Sequence, residues 1–158
     1  KFKPLLETMG ANVQLVGDQG CGKVVKIINN MIVGIVAPAL AEAIVLGVKA
    51  GMKPDVLVNV LEQSPSVQCW PLSNYIKKYV LNGDFPTGVF GVDYRLKDSY
   101  LALDMSRHYH FPVPIASAAH QLYEAARGRG YVKELHMIVI KLMEEIAGVK
   151  VRNPGIEE

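Results

Sequence analysis

The stretch Met31-Ile32-Val33-Gly34-Ile35-Val36-Ala37-Pro38-Ala39-Leu40-Ala41-Glu42-Ala43-Ile44-Val45-Leu46-Gly47-Val48 decides the architecture of this chain. It is apolar apart from Glu42, and its length reaches about the minimum for a membrane span. Against a span stand Glu42 in the interior, Pro38 near the middle, and Lys26, Asn29 and Asn30 just upstream. A helix that is greasy on all sides can equally form the buried centre of a helical bundle, and that reading is adopted. Taken from about Lys23 to Ala50, the helix would extend roughly 40 Å at 1.5 Å per residue. Pro38 predicts a kink or a locally unpaired carbonyl within it. Gly51 offers a stop, and Pro54 suits the first turn of the next helix, with Asp55 well placed for its dipole.

Working outward, three apolar stripes at helical spacing each need a partner. Leu72, Tyr75, Ile76, Tyr79 and Val80 form the first; Ile115, Ala118, Ala119, Leu122, Tyr123 and Ala126 the second; Leu135, Ile138, Val139, Leu142, Met143 and Ile146 the third. Asn82-Gly83-Asp84, Phe111-Pro112-Val113-Pro114 and Gly128-Arg129-Gly130 mark the loops. Trp70, between Cys69 and Pro71, reads as a helix start docked on the core. Upstream, Leu5 to Gly10 resembles a helix end closed by glycine. Asn12 to Val16 is β-prone, yet a lone strand lacks partners for its backbone. It either pads the surface or belongs to a sheet lying upstream. The expected class is all-α: a multi-helix bundle around one long central helix, with a tail from Val149 that frays.

The chain has 158 residues, enough for one domain with a well-filled core. Its net charge of +2 argues against nucleic acid or an anionic membrane as a partner. The two cysteines, Cys21 and Cys69, lack a neighbouring metal or redox partner, as expected of free thiols in a reducing compartment. No signal peptide is visible. His108, His110, His120 and His136 show no ligand spacing, so no metal site is expected and each histidine is read as a surface or packing residue.

Two segments carry candidate chemistry. Gly17 to Asn30 contains glycines just before a helix, which would suit a phosphate at its N-terminus. A dinucleotide fingerprint needs a full βαβ unit, however, and a flexible turn that allows close packing explains these glycines better. Lys26 and Asn30, at i and i+4, share one helix face with Asn29 beside them. That face continues through Val33, Ala37, Ala41, Ile44 and Val48, so the polar pair opens onto an apolar groove. A lysine desolvated there would have its pKa lowered toward neutrality and could exchange a proton with an alcohol. The plainer alternative is a lysine that snorkels to solvent and an asparagine bonded to a loop. In Phe90 to Asp98, Asp93 resembles an N-cap, with Leu96, Tyr100 and Leu103 as the buried stripe. By spacing alone, Lys97 and Asp98 are a solvated charge pair.

The ordered set of these motifs resembles the β-hydroxyacid dehydrogenase family, that of 3-hydroxyisobutyrate dehydrogenase and tartronate semialdehyde reductase. Gly20-x-Gly22-x-x-x-Lys26-x-x-Asn29-Asn30 is similar to the start of the family's central helix. Ala41-Glu42-Ala43 with Lys49-Ala50-Gly51 is similar to its end. Asp84-Phe85, Phe90, Lys97-Asp98, Pro112-Val113-Pro114 and Gly128-x-Gly130 follow in order, so the likeness runs from Gly17 to about Glu145. The position of Asn29 is typically histidine in 6-phosphogluconate dehydrogenases, and imine reductases of similar architecture generally replace the lysine kept here as Lys26. Lys53 stands where an N-capping aspartate is usual.

The resemblance implies a fold like the C-terminal domain of 6-phosphogluconate dehydrogenase. Residues 1–18 would be a remnant of the last helix and strand of a Rossmann domain absent here, residues 19–148 the helical substrate-binding and dimerisation domain, and 149–158 the tail. It implies an NAD or NADP cofactor bound mainly by that other domain, a small hydroxyacid substrate, and a homodimer or higher homo-oligomer. Lys26 would be the general acid/base, Asn30 and Asn29 would hold substrate, and Phe90 would form the aromatic wall. Lys97 would lie near the cofactor, with Asp98 supporting it. The expected location is the cytoplasm, with the mitochondrial matrix or a plastid open for a eukaryotic chain, and this piece alone is expected to be inactive. A non-catalytic dimerisation or scaffold domain of the same descent is the competing expectation.

Overall fold

The computed structural model describes residues 2–156. Six α-helices run through it: α1 (Lys3–Glu7), α2 (Cys21–Lys49), α3 (Pro54–Gln63), α4 (Val92–His108), α5 (Pro114–Gly128) and α6 (Ile140–Ala147). A π-helical turn (Leu72–Ile76) and two 3-10 turns (Val80–Asn82 and His136–Val139) fill the connections. Among the described residues there is no strand, only two isolated bridges, Thr87 to Glu134 and Gly91 to Leu135. The all-α class and the long central helix are as expected.

Helix α2 organises the rest, packing against α3, α4, α5 and α6. Its length and apolarity would suffice to cross a bilayer. Here Ala37, Leu40, Ala41, Ile44 and Val45 face the core, beside Leu72, Ile76, Leu96, Tyr123 and Ile138. Burying one such aliphatic side chain contributes about 1.5–3 kcal/mol. The helix is not enclosed on all sides, however: Val25, Ile32 and Leu46 are exposed.

Gly34 and Pro38 stand one turn apart in the middle of α2. Their intrinsic cost to a helix is about 1 and 3 kcal/mol relative to alanine, so packing has to hold this turn. Pro38 has no N–H, and the carbonyl it leaves unpaired is that of Gly34. The Tyr123 hydroxyl donates to this oxygen at 3.0 Å. Helical residues continue without interruption through Pro38, and the freed acceptor is satisfied from α5. Tyr123 is fully buried, and burial pushes its phenol far above the usual range, so it remains a donor.

The stripe before Val80 is buried as its spacing predicts, with Tyr79 half-buried. In the second stripe Ile115 and Ala118 are exposed, because α5 buries Ala116, Ala119, His120, Tyr123 and Ala126; in the third Ile146 is exposed, at the end of a segment that changes from a 3-10 turn to α6. Trp70 opens a helical turn and is 60% exposed, so it rests on the core from outside without being buried in it. Its ring makes a T-shaped contact with the buried Tyr75, the centroids 4.6 Å apart.

Both ends depart from expectation. Helix α1 closes at Thr8, whose hydroxyl donates to the Leu5 carbonyl, and not at Gly10. Residues 12–16 form no strand, and Leu15 is 96% exposed, as follows when no neighbouring strand is present to pair with them. The tail does not fray within the described residues. Val151 and Arg152 are buried, and the Glu144 carboxylate accepts from the Val151 N–H and from Arg152 Nη1, each at 2.8 Å. Asn153 N–H then donates to the Leu81 carbonyl at 2.7 Å. A buried carboxylate requires such partners, and the tail supplies them.

Replacing Tyr123 by Phe should lower stability by about 1–3 kcal/mol, the cost of a buried acceptor left without a donor. In a Pro38→Ala background, where the helix regains its own N–H, the same replacement should cost clearly less. Urea unfolding of the four variants measures this, and equal losses in both backgrounds would refute the link.

Candidate active site

The cleft that gathers the singled-out residues lies between the start of α2 and α4. It is lined by Lys26, Ile27, Asn30, Phe90, Lys97, Asp98 and Leu101, with a volume of about 240 Å³. Drug-sized sites occupy roughly 300–1,000 Å³, so this one suits a small molecule. One helical turn separates Lys26 from Asn30, which brings both to the cleft.

Phe90 belongs to the segment leading into α4, which is held against residues 132–136. His136 N–H donates to the Phe90 carbonyl at 2.9 Å, and Leu135 N–H to that of Pro86 at 3.0 Å. Val92 and Asp93 donate in turn to the carbonyls of Glu134 and Val132. Glycine suits position 91, because a Cβ there would crowd the Lys133 and Val132 carbonyls at 3.1 and 3.2 Å. Gly91 is also the N-cap of α4. Asp93, expected to cap, lies in the first turn and pairs with Lys133. The buried face of α4 carries Val92, Arg95, Leu96, Asp98 and Ala102. Tyr100 is exposed and Leu103 half-buried.

Asp98 is 5% exposed. The solvated pair that spacing suggests is therefore only half right: the Lys97 ammonium is exposed and sits 3.3 Å from a buried carboxylate. The other carboxylate oxygen accepts from Asn30 Nδ2 at 2.8 Å. A carboxylate can only accept, so it fixes the orientation of the Asn30 amide. The Asn30 oxygen then accepts from Asn29 Nδ2 at 3.2 Å. One amide proton of Asn30 is left for a molecule in the cleft.

Lys26 departs from expectation. It lines the cleft, but its side chain is exposed, and the burial expected of it is not found. Among the described residues α2, α4 and the Phe90 segment border the cleft, which leaves the Lys26 side chain open to solvent. Asn29 is exposed and reaches the cleft only through Asn30.

Two residues behind the wall escaped the sequence reading. Arg95 is 3% exposed. Its Nη1 donates to the Asn30 main-chain carbonyl at 3.1 Å, its Cζ lies 4.6 Å from the centre of the Phe90 ring, and its Nη2 is 3.4 Å from His136 Nε2. Burial lowers its pKa, while Tyr123, Asp98 and Tyr75 act in the opposite sense. His136 is fully buried and meets the rings of Tyr75, Phe90 and Tyr123 edge to face. Burial, and then the Arg95 charge, hold its pKa well below the ordinary histidine value. A signal for Arg95 was available. Val92, Leu96, Ser99 and Ala102 repeat at helical spacing, and Arg95 falls on their side.

Of the glycines around the start of α2, Gly17 packs closely, since a Cβ there would stand 2.9 Å from Cys21 Sγ, while Gly20 and Gly22 do not. Gly20 caps the helix with φ of 103°, a left-handed conformation, and neither Gly20 nor Gly22 has an atom within 4 Å of where a Cβ would stand. Among the described residues no cluster of His, Cys, Asp or Glu could hold a metal ion, and Cys21 and Cys69 are free thiols.

Residues 20–143 match a family model described as "NAD-binding of NADP-dependent 3-hydroxyisobutyrate dehydrogenase". The 2-(hydroxymethyl)glutarate dehydrogenase of Eubacterium barkeri is 37% identical over 151 residues, covering 96% of this chain and 50% of that protein. The L-threonate dehydrogenase of Cupriavidus necator is 37% identical over 138 residues, covering 87% of this chain and 42% of that protein. The crystal structure of a 3-hydroxyisobutyrate dehydrogenase from Salmonella typhimurium aligns with a TM-score of 0.80 and 32% identity, over 89% of this chain and 49% of that one. The chain thus spans about half the length of the curated relatives it matches.

His136 gives the fold a pH dependence. Its folded pKa lies below that of the unfolded chain, so between the two values the unfolded state binds the extra proton. Stability is complete above the unfolded value, about 6.5, and falls as pH drops toward the folded one. The slope for one proton is about 1.4 kcal/mol per pH unit. His120, also lowered by burial, adds in the same direction. Denaturant unfolding at pH 7.5 and 5.5 should show a loss in the native protein that is smaller in His136→Gln; equal losses would exclude His136 as a source.

Proposed function

This chain belongs to the family of NAD(P)-dependent 3-hydroxyisobutyrate dehydrogenases, and on that footing we propose that it forms the substrate-facing half of an oxidoreductase that interconverts a small β-hydroxyacid and its semialdehyde or oxo acid. The observation that carries the reading is the cleft itself. Lys26 and Asn30 on α2 meet Phe90, Lys97 and Asp98, sixty or more positions later in the chain, around one small volume. The acids in the relatives' names each bear a hydroxyl on the carbon β to a carboxylate, and that is the substrate class proposed.

When bound, NAD(P) accepts or supplies the hydride at the hydroxyl-bearing carbon. The donor set fits the edge of such a group: Lys97, exposed on the rim, would meet it, while the described residues hold no strand–turn–helix cradle for a dinucleotide. In the complete enzyme an N-terminal Rossmann domain would bind most of the nucleotide, leaving this piece inactive alone. Lys26 Nζ exchanges the proton of the substrate hydroxyl. Asn30, held by Asp98, offers its remaining amide proton to the substrate, with Asn29 bracing its oxygen. Phe90 closes one wall against water. Self-association belongs to the same proposal, supported by the exposed apolar residues Val25, Ile32 and Leu46 of α2.

In the full-length enzyme, Lys26→Ala should reduce kcat on the order of 10²–10⁴-fold, with the thermal unfolding transition in place. Steady-state NAD(P)H formation across a panel of β-hydroxyacids measures this. Turnover close to that of the native enzyme would reject the role given to Lys26, and an intact protein inactive on the whole panel would favour a scaffold.

A further inference from the structure

We infer that Arg95 is a positioning residue for the cleft, setting Asn30 and Phe90 relative to one another from behind the wall. The inference rests on the dehydrogenase reading above. Arg95 does not line the cleft, so it acts on a substrate only through residues that do. One edge of its guanidinium donates to the Asn30 main chain at 3.1 Å, and the plane lies against Phe90, with Cζ 4.6 Å from the ring centre. The far corner meets His136 Nε2 at 3.4 Å. With His136 kept neutral by burial, that nitrogen can serve as an acceptor when the ring proton sits on Nδ1.

Three elements therefore converge on one group: α2 through Asn30, the segment before α4 through Phe90, and the 3-10 turn through His136. The stem runs close over Gly34, with the Arg95 Cδ 3.3 Å from where a Cβ would stand. Packing alone does not call for an arginine here. Asp98, one turn along the same helix, attracts the guanidinium but bonds Lys97 and Asn30, and a buried cation with no carboxylate hydrogen-bonded to it is costly where leucine or methionine would be cheap. A planar fork that bonds a carbonyl along its edge while its face rests on an aromatic ring is what arginine provides and lysine does not.

The experiment uses the full-length enzyme with Arg95→Lys, Arg95→Met, Asn30→Ala and Phe90→Ala, and the pairs of Arg95→Lys with each of the last two. Arg95→Lys should lower kcat/KM for the hydroxyacid on the order of 10²-fold, as expected when a reacting group is displaced by about 1 Å. The KM for the nicotinamide cofactor should stay within about twofold, because the uncoupled parts of a site respond independently. In each pair the combined loss should fall well short of the product of the single losses. Arg95→Met should behave like Arg95→Lys; should it not fold, Arg95→Lys decides the matter. A kcat/KM for the acid within about twofold of the native value in Arg95→Lys, or strictly multiplicative losses in both pairs, would overturn the inference. A harmless Asn30→Ala together with a harmless Phe90→Ala would overturn the parent reading, and this one with it. Damage in those two with none in Arg95→Lys overturns this one alone.

Discussion

Asn30 is gripped twice by α4. The Asp98 carboxylate takes its side-chain amide and the Arg95 guanidinium takes its main-chain carbonyl. These are charged groups on the buried face of a helix, and neither could sit there at tolerable cost without a partner. One partner of each lies on α2, alongside Lys97 for the carboxylate and His136 for the guanidinium. The electrostatic requirement of α4 is thereby converted into a fixed distance between the two helices at the height of the cleft. Phe90 is set by the same arrangement, because the guanidinium that bonds Asn30 also supports its ring.

Further along α2 a different arrangement serves the same end. The apolar face through Ala37, Ala41 and Ile44 gives the helix its place in the core. Its weakest turn, between Gly34 and Pro38, is strengthened by Tyr123 from α5. Site and core are therefore successive stretches of one helix, with α4 fixing the first and α5 the second. The 3-10 turn at His136 joins the two, touching Arg95 on one side and Tyr123 on the other.

Much of this was legible in the residues. An unbroken apolar run gave the long helix, and periodicity gave the stripe Leu72 to Val80, since neither needs knowledge of the fold. The i, i+4 spacing of Lys26 and Asn30 brought both to one cleft. What could not be read locally was burial. Lys97 and Asp98 are adjacent and opposite in charge, which describes a solvated pair until Asn30, 68 positions away, is found against the carboxylate. Lys26 shows the reverse, for its apolar neighbours suggested burial that this chain's walls do not provide. Arg95 and His136 are partners only in three dimensions. The tail looked loose because the contacts of Val151 and Arg152 with Glu144, across the end of α6, are not visible in a local pattern.

The dent in α2 carries an implication for descent. Gly34 leaves room for the Arg95 stem, Pro38 exposes the carbonyl that Tyr123 takes, and Tyr123 in turn packs on His136 beside Arg95. Positions 34, 38, 95 and 123 thus constrain one another sterically and by valence. Across lineages they should be inherited as a set: a methyl group gained at 34 calls for a slimmer side chain at 95, and an imino acid lost at 38 releases the phenol at 123 to drift.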